Sequence, residues 1–490
     1  MTDATAEPAA APAPRPTRTG RRVPSELSFI LDEATVGAHA STEPDWLTAD
    51  RRAAFARYQA LPVETNQLYT TYVDLRTADL TAVRPWTPSG SAPDSGGVDV
   101  PVETSGWALF NEHALSAHDL SAEARRAGVI LDTLDGLNAR DEALAQRLLG
   151  DERSLPLDDK LAQMTRAGWN QRVVVHVPAG VRLKDPILLR WQVGLGGQAL
   201  LTRTILDLGE GASASVVEEL EPLPDAPEEA IAELELSAGL VRGATRAARG
   251  DQALFTGTLE VHLAAGAELA VASIQNLASG TVAFQHRQAE IGEGATLHWA
   301  LAQLGGRLVR SRVDNRLAGN RSSVEQVEIV FGAEDQLFDL TSFTRHIGRD
   351  TTGNLLSKGA LMDASRSYMK GLIIIEPTAV GTDSFLGEFG MNLSKKARAV
   401  AIPSLEIDQP DCRRAAHSSS VGPIDETQLF YLESRGIPPD EARKFIVLGF
   451  LEPVVARVPL ASAQDRLREL LEAKWDAGPL AGAGSSGAAA

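Results

Sequence analysis

Two residues near the C-terminal end carry the most pointed chemistry in this sequence. Cys412 and His417 stand five positions apart in the segment Asp411-Cys-Arg-Arg-Ala-Ala-His417. A thiolate and an imidazole are soft and borderline ligands, suited to iron or zinc. Two ligands do not close a tetrahedral site, so a partner would have to supply the rest. On spacing alone the pair reads rather as a cysteine and a histidine that are merely packed or exposed. Cys412 is the only cysteine in 490 residues. That excludes an internal disulfide and any metal site built on three or four cysteines of this chain. His262, His286, His298 and His346 each stand alone in strand-like or loop-like sequence and read as rim or surface residues. No phosphate-binding glycine loop, dinucleotide fingerprint, nucleophile elbow or HExxH occurs. The chain therefore reads as a scaffold rather than an enzyme with a self-contained active site. The enzyme alternative is a coil-shaped polysaccharide lyase or hydrolase. It would need clustered acids in a cleft and an aromatic sugar platform, and aromatic residues are only 5% of the chain.

The elements that must position these residues are mostly strands. From about Arg172 to Ile407, short β-rich runs follow one another, among them Val173–Val177, Ile187–Trp191, Leu200–Leu208 and Ala214–Val217. Small-residue turns recur as Gly209-Glu-Gly211-Ala212, Ala265-Gly266-Ala267-Glu268, Gly292-Glu-Gly294-Ala295 and Gly319-Asn320-Arg321-Ser322. Gly266 to Gly294 is 28 residues, Gly292 to Gly319 is 27, and Gly211 to Gly266 is 55, about two such periods. Alternating strands follow the turns, as in Leu269-Ala-Val-Ala-Ser273 and Thr296-Leu-His-Trp-Ala300. Strand-only units of this length cannot bury a core alone and must stack, which gives a β-helix or a related two-sheet coil. A large irregular sandwich is the competing fold.

Around this core the expected organisation is a tail over 1–24, a helical region with loops over 25–170, the coil over 171–416, a helical region over 417–476 and a second tail over 477–490. Ser25 is placed to cap a first helix carrying Leu27, Ile30 and Leu31, and Thr48 to Leu61 is a second amphipathic stretch. Pro85 to Pro101 reads as a loop, and Glu218 to Glu235 as an acidic insertion. Asp425 is a good N-cap with Gln428 as its capping-box partner, for a helix ending at Gly436. Pro438-Pro439-Asp440 starts the next, which puts Ala442, Phe445, Ile446, Gly449 and Phe450 on one face, with Pro453 and Pro459 bending or breaking it. A last helix carries Leu467, Leu470 and Leu471.

Composition narrows the partners. Lys plus Arg total 47 against 65 Asp plus Glu, a net charge of −18. Such a chain repels phosphate backbones and anionic lipid surfaces, so neither nucleic acid nor membrane is an expected partner. No run approaches the ~20 apolar residues of a membrane span, and Met1 to Pro24 lacks the apolar stretch of a secretory signal. A cytoplasmic protein is the expectation.

The segment Pro403 to Val458 resembles the SufB/SufD family of iron–sulfur cluster assembly scaffolds. The likeness rests on PSLEID (403–408), His417, VG (421–422), DETQLFYLESRGIP (425–438), EAR (441–443) and IVLGFLEPVV (446–455). SKGALMDASRSYMKGLIII (357–375), Thr382-Asp383 and LSKKARA (393–399) extend it upstream, so that it covers about Arg172 to Trp475. The resemblance implies a right-handed parallel β-helix (β-solenoid) core between helical N-terminal and C-terminal regions. It also implies pairing of a SufB-type with a SufD-type chain through their β-helices. The C-terminal helices of each would dock onto the ABC-type ATPase SufC, with Phe430, Tyr431, Arg435, Gly436, Phe445 and Phe450 as the docking surface here. No cofactor would be held stably; a nascent iron–sulfur cluster would pass through the partner interface, where His417 would donate to iron. SufB-like chains carry a Gln-Cys-Asp-Ser element, whereas this chain reads Thr382-Asp-Ser384. SufD-like chains usually carry Cys-Ser-His, whereas here Ala415 and Ala416 precede His417 and Cys412 lies three positions before Ala415. The SufD branch is the better fit. A SufB-like subunit, or a purely structural subunit without cluster ligands, are the alternatives.

Overall fold

Six stacked turns set the way the chain winds. Gly211, Gly266, Gly294, Arg321, Asp350 and Gly381 all adopt left-handed backbone, with φ between 56° and 78°. Each donates its amide to a carbonyl of the turn above: Gly211 to Ala265 (2.9 Å), Gly266 to Glu293 (2.8 Å), Gly294 to Asn320 (2.8 Å), Arg321 to Arg349 (2.8 Å), Asp350 to Val380 (2.8 Å) and Gly381 to Asp411 (2.7 Å). Left-handed backbone costs a non-glycine residue about 1–2 kcal/mol, which the ladder offsets at Arg321 and Asp350. The structure, a computed structural model, describes residues 26–478 apart from 39–40, 42, 86–102, 112–113, 134–135, 138–139, 150–154, 195 and 224–251.

Between the turns run strands that enter two parallel sheets alternately. Sheet one stacks Gln171–Val177, Gln198–Leu208, Ala253–Leu263, Thr281–Ile291, Leu308–Leu317, Leu337–His346, Arg366–Ile375 and Arg398–Ile407. Sheet two stacks Ile187–Val193, Ser213–Pro222, Glu268–Gln275, Thr296–Gln303, Ser323–Gly332, Thr352–Leu361, Asp383–Asn392 and Arg414–Gly422. The result is a parallel β-solenoid of about eight coils with helices at both ends of the chain. Alternate residues face inward, so Leu269, Val271, Leu297, Trp299 and Val324 form one dry stripe of the core. A polar band crosses the same interior. Arg287 donates to Ser273 Oγ (2.9 Å) and reaches Glu218 (3.4 Å), while Ser311 and Gln303 donate to Glu328 at 2.9 and 3.2 Å.

The two ends of the solenoid differ. At the first end, the hairpin Gly106–Asn111 and Ala114–Leu120 adds to sheet two, Ile130–Asp132 adds to sheet one, and Phe110 stacks on Trp191 at 3.9 Å. At the last end, Arg398–Ile407 and Arg414–Gly422 are the edge strands, each paired on one side only among the described residues.

Helices cover the outer faces. Glu33–Gly37 (α1), Asp45–Ala60 (α2), Ala122–Arg126 (α3), Glu142–Leu149 (α4) and Lys160–Gly168 (α5) belong to the N-terminal region. Buried ion pairs tie α2 and α5 to sheet one. Arg51 chelates Glu43, donates to the carbonyls of Ala167 and Trp169, and lies 3.4 Å above the Trp169 ring. Asp159, which caps α5 through the Ala162 amide, also meets Arg312 and His286 of sheet one. Glu426–Glu433 (α6), Pro439–Val455 (α7) and Ala461–Asp476 (α8) belong to the C-terminal region. Val447, Leu451, Val454, Leu467, Leu471 and Trp475 pack with Val217, Ala272, Ala300, Val327 and Ile329 of sheet two. Lys474 fastens α8 by donating to Gln336 Oε1 (2.7 Å) and to the Leu304 carbonyl. Burial pushes its ammonium down to about 7.

Several elements differ from the sequence expectation. The 55 residues from Gly211 to Gly266 are one coil rather than two. Gln198–Leu208 pairs directly with Ala253–Leu263, and the extra chain is an insertion centred on 224–251, outside the described residues. Glu218 to Pro222 are strand, with Glu218 turned inward against Ser273. Leu27, Ile30 and Leu31 lie in extended chain, in which Phe29 and Leu31 are buried and Ile30 is exposed, a period of two rather than 3.6. The helix begins only at Glu33, capped by Asp32, and Ser25 lies outside the described residues. Strands also occur within 25–170, because the first coil needs its end closed. The stretch expected as a loop from Pro85 falls almost wholly on 86–102, outside the described residues, as do most of the two expected tails. His417 sits inside a strand, so the last coil extends to Gly422. Helix α7 runs through Pro453 to Val455.

The turn stack leaves no room for side chains at some positions. A Cβ on Gly319 would meet the Glu293 amide nitrogen at 2.0 Å, whereas one on Gly280 would meet nothing within 4 Å. Gly319→Ala should therefore lower the unfolding free energy by about 1–3 kcal/mol, and Gly280→Ala should be near neutral. Denaturant melts of the two variants check this; equal stabilities would contradict the stacked-turn account.

Candidate site at the open end of the solenoid

The last strand of sheet two places His417. Arg414–Gly422 pairs in register with Asp383–Asn392, so His417 is opposite Leu386, Ala415 opposite Ser384, Ser419 opposite Glu388 and Val421 opposite Gly390. Leu386 belongs to the buried interior, together with Leu355, Ile373, Ile375 and Ala379. His417 therefore stands on the inward-facing side of a strand that has no further coil above it, and it is exposed for that reason. Ile407 and Val421, at the rims of the two edge strands, are 45% and 40% exposed. An edge strand presents unpaired amides and carbonyls, which are a template for another chain. Apolar rims around such an edge add surface that gains by being covered.

Cys412 is placed differently. It precedes the strand, is partly buried, and packs with Ala415 and Leu405 against the Leu355–Ile373–Leu386 cluster. Among the described residues no group of three or more His, Cys, Asp or Glu side chains could hold a metal ion. His417 thus has no ready set of fellow ligands among the described residues.

Below the open end lies a carboxyl that sequence reading passed over. Glu388 faces inward between Leu386 and Gly390 and is 1% exposed. One of its oxygens accepts the Ile402 amide of the sheet-one edge strand at 2.7 Å, so the side chain spans the interior from one sheet to the other. Burial pushes the carboxyl up to about 8, against the opposing pull of the Ile402 amide and of Lys370. The signal for it was present: an acid at an inward position of a strand whose alternate neighbours are apolar or glycine.

The helices after the open end carry the other predicted residues. Asp425 caps α6 through the Thr427 amide (2.8 Å), one position short of the expected Gln428. Leu429 is buried, while Phe430 and Tyr431 are 71% and 56% exposed, and the Arg435 guanidinium lies 4.9 Å over the Tyr431 ring. Gly436 ends the helix at φ 86°. On α7, Ala442, Val447 and Leu451 face the solenoid, leaving Phe445 62% exposed. Phe450 is half-buried, with Lys358 over its ring at 4.6 Å. Phe430, Tyr431, Arg435, Gly436 and Phe445 are thus all exposed on and just after α6 and on α7, and Phe450 belongs instead to the seam with sheet two.

Residues 192–450 match the family model described as SUF system FeS cluster assembly, SufBD core domain. The chain belongs to the SufBD family. SufD of Bacillus subtilis is 26% identical over 358 residues, covering 72% of this chain and 76% of that protein. A SufBD family iron–sulfur cluster assembly protein of Mycobacterium tuberculosis is 32% identical over 213 residues, covering 42% of this chain and 54% of that protein. The chain thus spans about half the length of this mycobacterial relative. A SufBD family protein of Staphylococcus epidermidis is 23% identical over 351 residues, covering 72% of this chain and 70% of that protein. The matched core runs from sheet two's first coil through the open end into α7, so it contains Cys412, His417, Phe430 and Phe445.

The raised Glu388 carboxyl has a thermodynamic consequence. Its folded value lies above the unfolded value near 4.5, so the stability it contributes is fully present below pH 4.5 and is lost as pH rises to about 8. Glu388→Gln removes that loss. The variant should melt higher than the parent at pH 8 and near the parent at pH 5; an equal difference at both pH values would contradict a buried neutral acid.

Proposed function

We propose that this chain is a SufD-like scaffold subunit of a Suf iron–sulfur cluster assembly complex. It pairs with a SufB-type chain through the open end of its solenoid and binds a SufC-type ABC ATPase through α6 and α7. The cluster is cargo, assembled at the junction of the two solenoids, and the chain is not itself an enzyme. The observation that carries the reading is the unclosed last coil. Among the described residues two edge strands are paired on one side only there, and His417 projects from the inward side of one of them, where a second chain would complete its surroundings. Cluster ligands beyond the imidazole would come from that second chain. SufD of Bacillus subtilis, matched along 76% of its length, supports the branch assignment. A cytoplasmic setting is part of the same proposal. Among the described residues no helix is long and apolar enough to cross a membrane.

One observation favours a second reading. Cys412 is spent on packing against the core, and Ala415 stands where the family resemblance expects a cysteine. A subunit that lends only shape would look the same. Co-expression with SufB-type and SufC-type chains under anaerobic conditions separates the two. His417→Ala should leave the complex assembled and lower its iron and labile sulfide several-fold, while Cys412→Ser should change both little. Unchanged cluster content in His417→Ala would leave the structural reading standing.

Two further variants test the surfaces separately. Ser419→Pro removes a main-chain donor from the edge strand and should abolish pairing with the SufB-type chain without loss of the ATPase. The double variant Phe430→Ser, Phe445→Ser should do the reverse. Size-exclusion profiles of the tagged complexes report both, and retention of both partners by both variants would overturn the docking assignment.

A further inference from the structure

A cavity of about 520 Å³ lies on the outer face of sheet one, walled by residues 65–66 and 155–158 of the N-terminal region and reaching Glu406 on the edge strand Arg398–Ile407. Its floor is set by strand register. Across successive coils, Arg316 is opposite Arg345, Arg345 opposite Ile374, and Ile374 opposite Glu406. Beside that row, Asp314 is opposite Phe343 and Phe343 opposite Leu372. The floor therefore has two arginines at one end, an apolar middle of Phe343, Leu372 and Ile374, and Glu406 at the other end. Two strand spacings, about 9–10 Å, separate Arg345 from Glu406.

The arginine end is unusual on energetic grounds. Like charges directly opposite on neighbouring strands destabilise a sheet. Arg316 and Arg345 are in that relation, each offset by one carboxylate, Glu290 and Glu376 respectively, with guanidinium donors left over. Arg316 donates only Nε, to Glu290 at 2.7 Å, and Arg345 donates only one Nη, to Glu376. Their remaining guanidinium donors have no acceptor among the described residues. Arg312 differs: it is spent on Asp314 and Asp159 and lies 4.6 Å over the Phe343 ring. Asp314 is likewise neutralised by Arg312 and His286, which leaves it little negative charge to set against the arginine pair. Asp158, 66% exposed on the wall and 3.8 Å from Arg312, is a further lining carboxylate beside Asp314 and Glu406.

We propose that this cavity binds a small organic anion, a carboxylate or phosphate head on a short apolar chain. The head would be held between Arg316 and Arg345 and the chain laid over Phe343, Leu372 and Ile374. Planar guanidiniums suit such heads because two parallel N–H bonds match two oxygens. Glu406 at the far end selects against a second negative charge. The site uses the outer face of sheet one and not the unpaired edge itself, so anion binding by the chain alone reads its occupancy whether or not the chain pairs with a partner.

Calorimetric titration of the full chain tests it. Hexanoate should bind saturably and more tightly than acetate, by up to about fourfold for each methylene buried on the floor. Monohexyl phosphate presents the other head on the same chain, and the tighter of the two names the head. Arg316→Gln, Arg345→Gln should weaken hexanoate at least tenfold with an unchanged melting midpoint, since both side chains are at least one third exposed (33% and 41%). The single variants should each give part of the loss, which guards against a folding defect in the double variant. Suberate, a diacid long enough to reach Glu406, should bind poorly to the parent and several-fold better to Glu406→Gln. No saturable hexanoate binding, or equal affinity in parent and double variant, would overturn the site. An unchanged suberate affinity in Glu406→Gln would overturn its orientation.

Discussion

Main-chain hydrogen bonding between coils governs everything else in this molecule. Each parallel strand satisfies half of its amides and carbonyls on the coil below and half on the coil above. Such a stack has no internal reason to stop, and whichever strand comes last leaves a row of unsatisfied groups. The chain resolves this at one end only. The hairpin Gly106–Asn111 and Ala114–Leu120, with Ile130–Asp132, closes the first coil and buries Phe110 on Trp191. At the other end Arg398–Ile407 and Arg414–Gly422 remain edges, and the chain turns away into α6 instead of capping them.

That asymmetry gives the proposed site its character. His417 is at an inward position by register, opposite the buried Leu386, yet exposed because no described residue forms a coil above it. The interior beneath is closed by Glu388, whose side chain reaches across to the Ile402 amide. A histidine in this place is held in position by a strand while, among the described residues, its surroundings are left open. Helices α6 to α8 continue from the same end and clamp sheet two through Val447, Leu451, Leu471 and Trp475. A protein that moved α6 and α7 would therefore act on the outer face of the sheet that carries His417.

The sequence revealed the solenoid through its turns, because left-handed positions such as Gly211, Gly266 and Gly294 recur with the coil. It misjudged the spacing at Gly211 to Gly266, since an insertion and a missing coil lengthen the chain alike. The C-terminal helices were legible from Asp425, Gly436 and Pro439, whose capping roles are local. The exposed face of α7 was only half legible. Phe445 and Phe450 share a helical face, and only packing against Lys358 separates the exposed ring from the seated one. The first helix was misplaced because Leu27, Ile30 and Leu31 fit a helical period as well as an extended one. His417 and Cys412 were found by residue type, but their different fates, one at an open edge and one in the core, depend on long-range register that no local pattern encodes. The Arg316–Arg345 pair was missed for the same reason: the two residues are neighbours only across a coil.

The central claim is that the unclosed last coil is where a second chain completes the site. Hydrogen–deuterium exchange of this chain, alone and with a SufB-type partner, tests it most directly. The claim predicts that amides of Arg398–Ile407 and Arg414–Gly422 exchange fast in the free chain and become the most strongly protected segments on pairing. Protection confined to other surfaces, with these two strands still exchanging freely in the complex, would contradict it.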